Sequence, residues 1–421
     1  EIMPSLVGSE MCIRDRLLAM LLAMVMVFSL AACAQGGTTN GVSATEKTAA
    51  PDNNGEKDSS TSTGDSDSID VGVCLTITGS GAPNGLIMLA GVQEYVDMVN
   101  EKGGVNGKQI KLHIQDAGND SDACLNAMNL LEKEDLSAII GPHGSGFIFA
   151  AQQIIEQGGI PCIGGGTNYK LPTTDNNYLF LGRPSDAIQA KAIANYVVEN
   201  TDAKTVGMCY CATDFGQGAY ECVKEVMESN PQIKFVAETH NEADTDFSST
   251  LLKMQAEGVD VLILWTTETP MPILLRQAYE LGLHDTMEFY GSPCIGSGSV
   301  QEAMDLAWLE DVYCVQESFY DTTNATMVEF GERTFANYGM YPDNTLRSYE
   351  KLTEGLVEAL RQCEDPTDPE QVKDALQNIH GYQTIFGAVD CDDTNSLVHE
   401  ICITKWNPDT QQLDKVMDVA G

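Results

Sequence analysis

Apolar positions along this chain keep switching between two spacings, and the switching predicts its architecture. Ile69 to Ile77 (IDVGVCLTI) reads as a buried strand, after which Gly85, Leu89, Val92, Val96 and Val99 fall at helical spacing. Gly103-Gly104 ends that helix, and Ile110 to Gln115 then alternates as a strand. A helix over Ala123 to Glu134 and a strand over Leu136 to Ile140 come next. The stretch Ile139 to Leu171 (IIGPHGSGFIFAAQQIIEQGGIPCIGGGTNYKL) gives strand, polar turn, a helix from Phe147, the strand Ile160 to Ile163 and a second polar turn. Tyr178 to Leu181 is a short strand, and Arg183-Pro184-Ser185-Asp186 breaks the pattern before another helix. A second series follows, with strands at Thr205–Tyr210, Ile233–Glu238, Val259–Trp265 and Met287–Gly291. Helices at Gly218–Met227, Ser249–Ala256 and Met271–Leu281 separate them, and the strand Val312–Val315 leads out. Three further helices are read at Ala325–Tyr338, Asn344–Arg361 and Pro369–Ile379. Ile385–Val389 and Leu397–Lys405 read as a strand pair that closes the sheet.

Two such series predict an α/β protein of two doubly wound, Rossmann-like lobes. The helices after Asp321 are surplus to the second series and should return to the first lobe, with the closing strands returning to the second. That assigns 69–185 and 319–382 to lobe 1, and 186–318 and 383–421 to lobe 2. Three crossings make a three-segment hinge.

The two polar turns carry the first chemical hint. Gly141-Pro142-His143-Gly144-Ser145-Gly146 and Gly164-Gly165-Gly166-Thr167-Asn168 follow consecutive strands. In an open parallel sheet such turns meet at the strands' carboxyl ends, where ligands bind. Glycine, hydroxyl groups, free backbone N–H and a helix N-terminus together favour a small anion such as a carboxylate. His143 reads as a solvated turn residue.

Composition narrows the setting. Sixty-two acidic against 23 basic residues give a formal charge of −39, which repels nucleic acid and anionic lipid. Arg14 and Arg16 precede the apolar run Leu17 to Leu30, which is short for a membrane span and fits a secretory signal. The run ends Leu30-Ala31-Ala32-Cys33, which resembles a bacterial lipobox. Residues 1–33 are therefore expected to be a signal peptide, with Cys33 lipidated on the outer face of the membrane. Residues 34–68, rich in Ser, Thr, Gly, Asn and Asp, are expected to form a flexible tether. Of thirteen cysteines, setting aside Cys12 and Cys33 leaves eleven, an odd number with no CxxC pair. Buried free thiols behave as small hydrophobes and point to a reducing or anaerobic habitat.

Catalysis finds little support. Gly144-Ser145-Gly146 and Gly296-Ser297-Gly298 lack the glycine two residues before serine that a nucleophile elbow needs. There is no phosphate-cradling GxxxxGK[ST] loop, and the six histidines form no HxxH or HExxH pair. No enzyme activity, cofactor or metal is expected.

An ordered set of segments resembles a known family. VGVCLTITGSGAPNG and VQEYVDMVNEKGGVNGKQIKLHIQDAGNDS come first. IIGPHGSG, IPCIGGGTN, RPSD, DFGQG, the run Thr245 to Ser249 and LLRQAYELGL follow. Over Ile69 to Lys405 the chain is similar to type I periplasmic binding proteins of the leucine/isoleucine/valine-binding kind. The resemblance implies a monomeric substrate-binding lipoprotein of an ABC importer that hands cargo to permease subunits. Its cargo would be a branched-chain-like amino acid or a related small carboxylate or amide, closed between the lobes. An alternative is a sensor presenting its closed form to a membrane receptor.

The resemblance also assigns roles. An α-carboxylate would rest on Ser145 with the Gly146 amide, and on Gly165, Gly166 and Thr167, with Ser80 from the first loop in the same row. Phe215, beside Asp214, stands where the family usually has tyrosine, and a second aromatic is replaced by Thr266, Thr267 or Glu268. The segment that carries the family's acidic partner for an ammonium reads Ser292-Pro293-Cys294-Ile295-Gly296 and has no carboxylate. An unpaired ammonium in a dry cleft would cost several kcal/mol or more. So Glu268 or Asp214 is expected to supply the charge, unless the ligand has no ammonium. Arg347, where the family's returning helix nears the cleft, is read as a surface residue, the alternative being that it faces an acidic ligand group.

Overall fold

Parallel strands buried on both faces need near-continuous apolar sequence, and the inner strands of the first sheet are such runs. In the computed structural model, which describes residues 68–173 and 175–419, β1 (Ser68–Leu75) buries Val71, Val73, Cys74 and Leu75. It pairs in parallel with β2 (Gln109–Asp116) and β3 (Ala138–Ile140). β4 (Cys162–Gly164) and β5 (Leu179–Leu181) complete the order β2-β1-β3-β4-β5, all parallel. The crossovers are α1 (Ala82–Glu101), α2 (Ser121–Leu131) and α3 (Ser145–Gly158). Asp120 caps α2 by accepting from the Ala123 N–H at 2.9 Å. Gly144, at φ 97°, adopts a backbone that favours glycine and turns the chain into α3.

The chain enters the second lobe through α4 (Asp186–Asn200). A second parallel set follows, β6 (Thr205–Cys211), β7 (Lys234–His240), β8 (Val261–Trp265), β9 (Glu288–Gly291) and β10 (Val312–Gln316). It is threaded with α5 (Asp214–Glu228), α6 (Ser248–Ala256), α7 (Met271–Glu280) and the short α8 (Gly298–Glu302). Thr213 caps α5 by accepting from the Gly216 N–H at 3.4 Å, so the helix starts four residues earlier than its apolar spacing indicates. Asp214 and Phe215 thus occupy a helical first turn.

As expected, α9 (Ala325–Tyr338), α10 (Asn344–Gln362) and α11 (Pro369–Gln377) come after the second series. Tyr349, Leu352, Leu356, Val357 and Leu360 of α10 join β1 and α1 in the first core.

The closing segment differs from the expected strand pair. β11 (Tyr382–Thr384) and β12 (Gly387–Val389) pair with each other as a small hairpin. Val389, Cys391, Leu397 and Val398 bury in the first core, and Leu397 N donates to Leu181 O on the edge of β5 at 2.9 Å. The expected strand Leu397–Lys405 is therefore split between the two sheets, and residues from 383 to 398 stay with the first. β13 (Ile401–Asn407) then runs antiparallel to β10, and an unanticipated β14 (Gln412–Val419) runs antiparallel to β13. The second sheet has the order β14-β13-β10-β9-β8-β6-β7. β14 (QLDKVMDV) is a largely exposed edge strand, so burial never imposed an alternating pattern on it.

The eleven cysteines among the described residues are all buried and free. The expected signal peptide, Cys33 and nearly all of the expected tether lie outside the described residues.

Candidate functional site

Ser145 joins the two glycine-rich turns. Its Oγ accepts from the N–H of Thr167 (3.2 Å) and of Asn168 (3.1 Å), while Thr167 O accepts from Asp186 N at 2.6 Å. Ser145 and Thr167 are 2% and 1% exposed, so they form the frame behind the surface. Gly166 is packed against Ile148, where a Cβ would sit 2.7 Å from Cδ1. Gly165 lies nearer the opening. A Cβ there would come within 2.4 Å of the Tyr349 hydroxyl and 2.8 Å of His143 Nδ1, so the position accepts no side chain.

A small cavity lies between the lobes. The first lobe contributes His143 and one face of α10, where Asn344, Thr345, Ser348 and Tyr349 recur at the i, i+1, i+4, i+5 spacing. The second lobe contributes Glu268, from the turn after β8, with Pro293 and Cys294 from the turn after β9. Arg183, on the first crossing between the lobes, completes the lining.

Each charged group here has a partner. His143 Nδ1 lies 2.9 Å from the Tyr349 hydroxyl. Burial, then the Arg183 charge, hold its pKa well below the usual histidine value, so the ring is neutral. Burial disfavours the charge on Arg183, but Glu317 more than restores it. Arg183 Nε donates to both Glu317 oxygens (2.8 and 3.0 Å), and Nη1 donates to Gly165 O at 2.9 Å. Glu268 Oε1 accepts from Asn84 Nδ2 at 2.8 Å, and Asn84 Oδ1 accepts from the Ser297 hydroxyl at 3.0 Å. Burial raises the Glu268 carboxyl above its ordinary value, with Arg183 among the groups that partly offset it.

These bonds cross the cleft. Asn84 begins α1 in the first lobe, whereas Glu268 and Ser297 belong to the second. Gly298 N also donates to Asp343 Oδ2 at 2.5 Å, and Asn168 Nδ2 donates to Asp214 O at 2.5 Å. The lobes are in contact around the cavity.

Of the expected contact residues, Glu268 lines this cavity and Gly165 backs it through His143 and Tyr349, whereas Ser145, Gly146, Gly166 and Thr167 are not in its lining, and the Ser145 hydroxyl takes up the Thr167 and Asn168 N–H groups. Ser292 is fully buried and donates to Thr266 O at 3.1 Å. Phe215 packs on Trp265, with ring centroids 6.0 Å apart. Asp214 is exposed, with its Oδ2 3.1 Å from where a Cβ on Gly146 would be. Ser80 is exposed and hydrogen-bonds Asn119 Oδ1 at 3.1 Å. Asp214, Phe215, Ser292 and Ser80 do not line the cavity.

Two readings are corrected. His143 is no solvated turn residue, because the return of α10 brings Tyr349 over it. Arg347 is 7% exposed, with its guanidinium donating to Ser318 Oγ (3.0 Å), Ser318 O (3.0 Å) and Pro342 O (2.7 Å). Asn344, Thr345, Ser348 and Tyr349 were not anticipated. Their one sequence signal is a run of polar residues on a helix that is otherwise core.

Among the described residues no group of three His, Cys, Asp or Glu side chains is placed to hold a metal. Nor is any helix long and apolar enough to cross a membrane.

Two doubly wound lobes meeting over a small polar cavity define a cleft-type binding protein. A family model described as periplasmic binding protein matches residues 68–412, and the chain belongs to that family, in its type I, Leu/Ile/Val-binding branch. A Leu/Ile/Val-binding protein homolog 1 of Brucella abortus is 25% identical over 332 residues, 77% of this chain and 86% of that protein. A leucine-, isoleucine-, valine-, threonine-, and alanine-binding protein of Pseudomonas aeruginosa is 22% identical over 352 residues, 83% of this chain and 92% of that protein. In structure, the chain resembles the substrate-binding protein LivJ of Streptococcus pneumoniae in complex with isoleucine. The TM-score is 0.75 at 22% identity, covering 84% of this chain and all of that one. The chain is a binding protein and not an enzyme.

Proposed function

We propose that this chain is the extracytoplasmic substrate-binding lipoprotein of an ABC importer, and that it captures one amino acid in the cavity between its lobes. The lipid anchor on Cys33 would hold it at the membrane, and permease subunits would receive the closed form. The observation that carries the reading is Glu268. It places a carboxylate in the cavity wall where the usual acidic segment, Ser292 to Gly296, has none. A ligand ammonium facing Glu268 would compensate that buried charge. The same carboxylate already holds Asn84 of the opposite lobe, so ligand charge and lobe closure bear on one group. Ligand shifts the closed population only by its preference for that form.

A thermal-shift screen over the amino acids tests this. At a free concentration a thousandfold above Kd, the cargo should raise unfolding stability by about 4 kcal/mol. Absence of a shift with every amino acid would refute the reading.

A further inference from the structure

We propose that the cargo is an amino acid with a neutral hydrogen-bonding side chain, an amide or a hydroxyl, rather than a branched aliphatic one. This inference rests on the binding reading above and specifies its substrate class.

Lining chemistry comes first. The cavity wall contains no leucine, isoleucine, valine, methionine or phenylalanine, and Pro293 is its purely apolar contributor. Amino-acid pockets that select a branched side chain must offer it apolar surface. Here an isobutyl group would instead cover hydroxyl, amide and imidazole groups, stripping their water without replacing its hydrogen bonds. Asn344 spends its Oδ1 on the Glu317 N–H at 2.9 Å, which leaves amide hydrogens for a guest, and Thr345 adds a hydroxyl. A side chain that can accept and donate uses these groups; a hydrocarbon wastes them.

Charge excludes the opposite extreme. Arg183 is matched by Glu317 across bonds of 2.8 and 3.0 Å, and His143 is buried against Tyr349 as a neutral ring. That leaves Glu268, hydrogen-bonded to Asn84 but not matched by a cation of the lining, as the place for the ligand's ammonium. An acidic side chain would add a further negative charge to those of Glu268 and the ligand's own α-carboxylate, with Arg183 already matched by Glu317.

Isothermal titration at pH 7.5, with protein freed of co-purified ligand by reversible denaturation, tests the inference. The panel is asparagine, glutamine, serine and threonine against leucine, isoleucine and valine, and against aspartate and glutamate. We expect a member of the first group to bind tightest, by at least tenfold over either other group. Tightest binding by an aliphatic or acidic amino acid would overturn this inference while leaving the amino-acid-binding reading intact. Failure of all nine, with binding by another amino acid, overturns the inference alone; failure of every amino acid overturns both.

Discussion

Glu268 holds Asn84 of the opposite lobe through one oxygen and lines the cavity with the same side chain. Glu268→Gln keeps the size and one acceptor but removes the charge, and should weaken amino-acid binding by tenfold or more, measured by titration calorimetry. Its pH dependence follows in sign. Burial raises the Glu268 carboxyl, and a ligand ammonium prefers the ionised form. Affinity should be full above the raised pKa and fall as pH drops through it, in a window that opens above ordinary carboxylate titration near 4.5. Titrations at pH 5 and 7.5 should show weaker binding at pH 5, a difference that Glu268→Gln abolishes. Ser145 acts differently, as a brace. Ser145→Ala strips the acceptor from two buried N–H groups, Thr167 and Asn168, at about 1–3 kcal/mol for each group left unsatisfied. Denaturant melts without ligand should show that loss; unchanged stability would mean the hydroxyl is not the brace it is taken to be. Glu268 was legible because a carboxylate was missing elsewhere, and the glycine-hydroxyl turns because backbone chemistry is local. Tyr349 was not legible, since it reaches His143 across 206 positions of sequence and only the topology brings it there.

At the scale of elements, the hinge depends on buried ion pairing. Arg183 on the first crossing meets Glu317 on the second, and α10 braces both. Ser348 Oγ donates to Glu317 Oε2 (2.6 Å), Lys351 Nζ donates to Glu317 O (3.0 Å), and Arg347 holds Ser318. Glu317 is 1% exposed. Glu317→Ala would leave Arg183 buried beside an empty partner site, which typically costs about 3–5 kcal/mol. Denaturant melts should show that loss, with Glu317→Gln intermediate because it keeps hydrogen bonding. Wild-type stability in Glu317→Ala would contradict the hinge described here. Strands and crossover helices of both series were legible because burial enforces their periods. The closing segment was misread because its apolar residues serve two cores: Leu397 and Val398 one, Ile401 and Ile403 the other.

The whole molecule carries a load of buried thiols that sets its alkaline limit. Burial pushes Cys209 and Cys314 up to about 12 and Cys211 up to about 11, from 9.0 in the unfolded chain. The folded protein therefore keeps protons that the unfolded chain releases. This stability is fully present below pH 9 and is lost as pH rises towards 11–12, at up to about 1.4 kcal/mol per pH unit for each thiol. Lys351, lowered by burial to about 8, acts in the opposite direction between 8 and 10.5 but is a single group. Denaturant melts under reducing conditions should show stability falling between pH 9 and 10.5; a flat or rising profile would contradict this account.

In the proposed complex one amino acid sits between Glu268 and the His143–Tyr349 pair, and a crystal structure of the protein with its cargo would show whether it does. Ligand density is expected in that cavity, with an ammonium within hydrogen-bond distance of Glu268. Density confined to another surface, with this cavity empty, would contradict it.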